Sequence, residues 1–307
     1  MHNFKTGIFV NEWKNYESES ALIKGLERAA SLGVDGVQLS DMCRLDKADS
    51  SFRKNIKSAL DSLGLKVSAI CGDIGIKFHN TERREELYDT LWRVYDIALE
   101  LGTNIVTTHV GVVPADKTNP RYGVMAETFS HIAERAATLD AYLANETGPE
   151  TAPVLKAFLD DINSPAAVNF APANTAMSTG EKAEEAAKTL GKYIVHTHAK
   201  DGILKKHADL EVMYGVRRDP DFRESDYCRE VLLGEGDVDW KKYLAALEEI
   251  GYTGYLTIER EGSSTHDADV EKEVPFLKAL PELDAVSVCV WNCNHASCAI
   301  KALDAGK

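Results

Sequence analysis

Two imidazoles alternate within residues 193–201, YIVHTHAKD, where a β-branched and aromatic run is closed by charges. The pattern reads as a buried strand with a polar end, and alternation at period two puts His196 and His198 on one face. In a strand buried on both sides those rings must hydrogen-bond or bind a metal, because an unpaired buried polar group costs kilocalories. From this stretch alone, satisfied core histidines and metal ligands are equally good readings. Three further strand-like segments tip the balance, ending at His109 (NIVTTHV), Glu146 (AYLANE) and Glu259 (YLTIE). Two carboxylates and an imidazole make a hard, oxygen-rich set suited to a divalent cofactor, Mn²⁺, Mg²⁺ or Co²⁺, with Zn²⁺ also compatible. An ion so held polarises a carbonyl and hydroxyl of a sugar and acidifies the adjacent C–H. A flanking glutamate can then move the proton.

Such groups meet only if the chain brings several strand ends together. Short apolar runs at 6–10, 34–39, 65–71, 104–110, 141–146, 167–170, 193–201 and 255–259 read as strands. Helical patterns fall between them at 19–32, 51–63, 81–101, 123–139, 151–161, 180–190 and 240–250, with a last one at 270–280; several stop at a glycine. Eight strand–helix units without hairpin-length connections predict a closed parallel (β/α)₈ TIM barrel over residues 1–280. A doubly wound sheet is the rival, and no glycine-rich dinucleotide fingerprint follows the first strand. In such a barrel catalytic groups sit at the C-terminal ends of the strands, where His109, Glu146, His198 and Glu259 all fall.

Composition narrows the partners. The 307 residues are 44% hydrophobic, ample for a large core, and carry a formal charge of −14. That charge argues against nucleic acid and against an anionic membrane surface. The N-terminus has no basic region followed by an apolar run, and no apolar segment approaches a membrane span, so a cytoplasmic protein is expected. Six cysteines are expected as free thiols. Assembly into a homo-oligomer stays open.

Other residues admit two readings. Lys200 and Arg260 would hold a substrate hydroxyl or phosphate, or stand as solvated or ion-paired charges at strand ends. His109 would hydrogen-bond the substrate or a neighbouring loop. The charged insertion 202–237 carries Arg217 and Arg218, which read better as a solvated loop than as a phosphate clamp. The GEG of 234–236 is a weak phosphate loop, lacking a following Lys-Ser/Thr pair. Residues 281–307 form an atypical tail in which Cys289, Cys293, His295 and Cys298 have zinc-like types at nonstandard spacing.

The ordered motifs ETGPE, VNFAPAN, HTHAKD, LGEGDVDW and GYLTIERE resemble the xylose isomerase-like sugar phosphate isomerase/epimerase superfamily, through residue 280. The resemblance implies that Glu146, His198 and Glu259 hold one divalent metal, Mn²⁺ foremost, and that Glu146 and Glu259 form the proton-transfer pair. It implies a small sugar or keto-sugar substrate, isomerised or epimerised through an enediolate. A keto-sugar or keto-inositol lyase or dehydratase is the alternative, since loss of the same proton can lead to elimination. The superfamily's apurinic endonuclease branch would need a histidine-rich metal cluster and a basic face, both absent here. The family's fourth ligand, an aspartate, is replaced by Ala171, which predicts weakened metal binding unless water or Asn174 fills the position, and leaves a metal-weakened pseudoenzyme as a further reading.

Overall fold

In the computed structural model, residues 4–10, 18–40, 49–162 and 164–280 are described. The expected tail, with its cysteines and His295, lies outside them. Ten strands are defined: β1 (Lys5–Phe9), β2 (Gly36–Ser40), β3 (Lys66–Cys71), β4 (Ile105–Thr108), β5 (Tyr142–Glu146), β6 (Ala167–Phe170), β7 (Ile194–Ala199), β8 (Asp201–Leu204), β9 (Cys228–Val231) and β10 (Tyr255–Ile258). All but β8 and β9 close into a parallel barrel in the order β1-β10-β7-β6-β5-β4-β3-β2, the (β/α)₈ architecture expected.

The strands are short and nearly all buried because both faces are covered, by the barrel interior within and by helices without. Outside, Leu22, Leu26, Phe129, Phe158 and Tyr243 pack with no more than 1% exposure. Phe129 meets Phe158 edge-on with centroids 6.2 Å apart, and Phe170 stacks on Tyr243 at 5.6 Å. The helix Ser50–Leu63 starts where Asp49 accepts from the Phe52 N–H and stops at Gly64, whose φ of 71° suits glycine. Among the described residues no helix is long and apolar enough to cross a membrane.

APAN opens a helix absent from the sequence reading, Pro172–Thr179, with Pro172 in its first turn, and the expected helix at 180–190 follows as Ala183–Leu190. The insertion is not irregular throughout, because β8 and β9 pair antiparallel, Asp201 opposite Val231 and Leu204 opposite Cys228. Asp201 fastens this insertion at both ends. Its buried carboxylate accepts from the N–H groups of Gly202, Gly234 and Val238 and from Trp240 Nε1. A Cβ on Gly236 would lie 2.1 Å from Asp201 Oδ1, so the GEG turn serves close approach to Asp201.

Candidate active site

Glu146 is the last residue of β5, His198 lies near the end of β7, and Glu259 follows β10. Barrel closure brings their ligand atoms within 4.8 Å of one another, all buried. His198 Nδ1 is 3.0 Å from Glu259 Oε2 and 3.4 Å from Glu146 Oε1. The expected trio is thus one cluster, formed from strands 113 residues apart in sequence at its extremes, as 259 minus 146.

The two histidines of HTH divide the roles. His196 is fully occupied: Nδ1 donates to Asn169 Oδ1 at 2.8 Å, and Nε2 accepts from Thr257 Oγ1 at 3.0 Å and Ser68 Oγ at 3.3 Å. Burial, helped by neighbouring His198, holds it well below the usual imidazole range, so it is neutral and structural. His198 presents Nε2 to Gln38 Oε1 at 3.0 Å and stacks its ring on Phe9, centroids 5.8 Å apart. Asn169 Nδ2 also lies 3.2 Å from Nε2, and Nδ1 is the ring nitrogen that faces the two carboxylates. That nitrogen is buried without a hydrogen-bond partner, although Glu259 Oε2 lies close to it.

Two buried carboxylates about one nitrogen require positive charge between them. A proton can supply it: burial opposes the imidazolium, but Glu259 and Glu146 outweigh burial and raise His198 to about 10. In turn, burial would raise Glu146, but His198 and His109 hold it down at about 2. The orphaned Nδ1 and the two oxygens equally fit a divalent ion, held by one nitrogen and two carboxylates.

Glu146 is held by two amides. Asn169 Nδ2 donates to Oε2 at 3.1 Å and Asn174 Nδ2 to Oε1 at 3.0 Å. Asn174 therefore supports a ligand through its amide nitrogen. Ala171 is fully buried; its N–H donates to Thr147 Oγ1 at 2.9 Å. It extends β6 by one residue in β conformation, so period two places it on the same side as Asn169.

His109 lies just beyond β4, with Nδ1 2.8 Å from Asp73 Oδ2 and Nε2 3.6 Å from Glu146 Oε1. Burial disfavours its charge, yet Glu146 and Asp73 prevail and raise it to about 9. Lys200, 4% exposed, sets Nζ 3.0 Å from Glu259 Oε2 and also bonds Glu261. Both residues line the cavity. Arg260 does not; it braces the wall, pairing with Glu230 at 2.5 Å and Asp269 at 3.2 Å. Arg217 pairs with Asp209 inside the insertion, as a solvated loop charge should.

Gln38, Asp73, Asn169 and Glu150 went unread in the sequence. Glu150 shares the ETGPE motif: one oxygen accepts from the Val113 N–H at 3.2 Å and the other has no partner among the described residues. Burial pushes its carboxyl up to about 8.

Above the cluster is a cavity of about 550 Å³. Its buried end presents Glu146, His109 and Lys200; the insertion contributes Met213, Tyr214, Ser225 and Cys228.

A closed parallel barrel with acids and an imidazole gathered at its mouth defines a class, and comparison with known proteins gives it a family. The pattern of the xylose isomerase-like TIM barrel matches residues 26–280, and the chain belongs to that family. Solved structures similar to this chain include the following three. A xylose isomerase domain protein from Planctomyces limnophilus is 25% identical, with 92% of this chain and 98% of that one covered and a TM-score of 0.74. The probable 3-DHS dehydratase AsbF from Bacillus anthracis is 17% identical (90% and 99% covered, TM-score 0.71). A D-allulose 3-epimerase from Methylomonas sp. is 17% identical (91% and 99% covered, TM-score 0.67).

Proposed function

We propose that the protein is a metal-dependent isomerase or epimerase acting on a small sugar or keto-sugar. The observation that carries this reading is the placement of Glu146 and Glu259 on either side of His198 Nδ1, at 3.4 and 3.0 Å. Glu146, His198 and Glu259 would hold the ion, Mn²⁺ being the best match to a hard, carboxylate-rich set. When bound, a divalent ion acidifies the C–H beside a sugar carbonyl. One glutamate takes that proton and the other returns one, through an enediolate, with lost or inverted configuration as the outcome. Lys200 holds Glu259 ionised and offers an N–H to a substrate oxygen; His109 does the same beside Glu146. Fold relatives include a D-allulose 3-epimerase, which supports the sugar assignment.

Elimination is the second reading, and His109 favours it. An imidazolium lining the cavity can protonate a departing hydroxide, and a probable dehydratase shares the fold. The deciding experiment incubates the protein with Mn²⁺ and ketohexoses in D₂O and follows products by NMR. Deuterium at the carbon next to the carbonyl, in epimer or aldose, supports isomerisation. An unsaturated or deoxy product without epimer supports elimination. No exchange on any sugar offered counts against both.

A further inference from the structure

The cavity is larger than a free monosaccharide requires. A hexose has about twelve heavy atoms and displaces on the order of six waters, roughly 180 Å³ at about 30 Å³ each. The 550 Å³ found is three times that estimate, within the range of about 300–1,000 Å³ that takes drug-sized ligands.

The surplus has a character of its own. Met177 and Cys228 pack with Ala173 and Met213 in a small apolar cluster separate from the main core, and the two methionines and the thiol line the cavity. Ser225 and Arg229, both exposed, add polar groups on the same lining. An apolar wall beside hydroxyl-binding groups suits a ring with a C–H face and a polar edge.

The chamber is preformed. A Cβ on Gly202 would lie 2.2 Å from Met177 Sδ, and one on Gly148 would lie 2.5 Å from Tyr214 Oη. Tyr214 Oη is 2.7 Å from Ser178 Oγ, and the Arg121–Glu211 ion pair ties the insertion to the helix Pro120–Thr138. These contacts fasten the insertion and the helix Pro172–Thr179 together as walls of the chamber.

We infer that the natural substrate is a sugar bearing a second ring-sized group, a glycoside or comparable conjugate. This rests on the sugar-carbonyl reading of the buried end. The carbonyl-bearing unit lies at Glu146, His109 and Lys200, and its substituent lies against Met177, Met213 and Cys228.

The test is calorimetric titration in the presence of Mn²⁺ with three probes: a free ketohexose, the same ketohexose carrying a glucosyl group, and its benzyl ether. One of the substituted probes should bind about tenfold or more tighter, which burial of only about 60 Å² of apolar surface supplies. The glucosyl probe leading identifies a second sugar as the substituent; the benzyl ether leading identifies an aromatic one. Met213→Trp and, at the exposed rim, Ser225→Trp should each reduce that advantage to about twofold or less. Equal affinities, no binding of any probe, or an advantage that survives both variants overturns the inference. Deuterium exchange in the same samples reports separately on the chemistry: a preference for the substituted probe without exchange overturns the isomerase reading and still supports the chamber.

Discussion

Gln38 Oε1 stands 3.0 Å from His198 Nε2, at the ring nitrogen that does not face the carboxylates. This β2 amide oxygen is the acceptor available to an Nε2 proton on a β7 histidine, with the Asn169 amide nitrogen 3.2 Å from the same ring atom. Gln38→Leu removes the acceptor and leaves the tautomer unset, so Mn²⁺ affinity should fall by about 10–100-fold. Calorimetric titration checks it; an unchanged Kd would show that Gln38 does not orient the ring.

Glu146→Gln and Glu259→Gln keep side-chain shape but remove the base, together with one hydrogen-bond-accepting oxygen. Turnover of whichever sugar is active should fall by roughly 10²–10⁴-fold in each variant, with near-ultraviolet circular dichroism unaltered. Undiminished turnover in either variant defeats the pairing.

Ala171→Asp places a carboxylate on the face that already carries Asn169, beside Glu146 and His198. A fourth ligand, a carboxylate oxygen, should tighten Mn²⁺ binding by about tenfold or more, with a gain in turnover. No change in metal affinity sinks the idea that position 171 borders the ion; tighter binding with lower turnover would indicate a site tuned to three ligands.

Glu150 makes stability fall as pH rises. Burial lifts its folded-state pKa to about 8, against an ordinary value of 4.5. Below about 4.5 the group is protonated in folded and unfolded chains alike and costs nothing. Between the two values the unfolded chain releases the proton first, so folding weakens progressively up to about pH 8 and levels off beyond. Glu150→Gln should raise Tm at pH 8 by about 2 °C or more and flatten its decline between pH 5 and 8. Parallel Tm curves for the two proteins would remove Glu150 as the cause.

The barrel was legible because strand and helix periods differ and each unit repeats the alternation. His198, Glu146 and Glu259 were legible because a strand end is a fixed place in such a barrel. What sequence left undivided was the pair His196 and His198: same type and same face, they are separated by partners on other strands, Thr257 and Ser68 for one and Gln38 for the other. Asp73 and Asn169 were missed for that reason too, since their value lies in His109 and Glu146, far off in the chain. The helix at Pro172 was hidden because proline, alanine and asparagine also compose turns. The β8–β9 pairing carries no local turn signature, its strands being joined by 23 residues, 205–227.

Asp201 binds the first and last turns of the insertion through one side chain. Between those knots the segment meets the frame through discrete pairs such as Arg121–Glu211 and Arg260–Glu230. Residues of the segment outside such pairs can change in evolution without disturbing the eight-stranded frame, so the wall of the cavity can vary over a constant barrel.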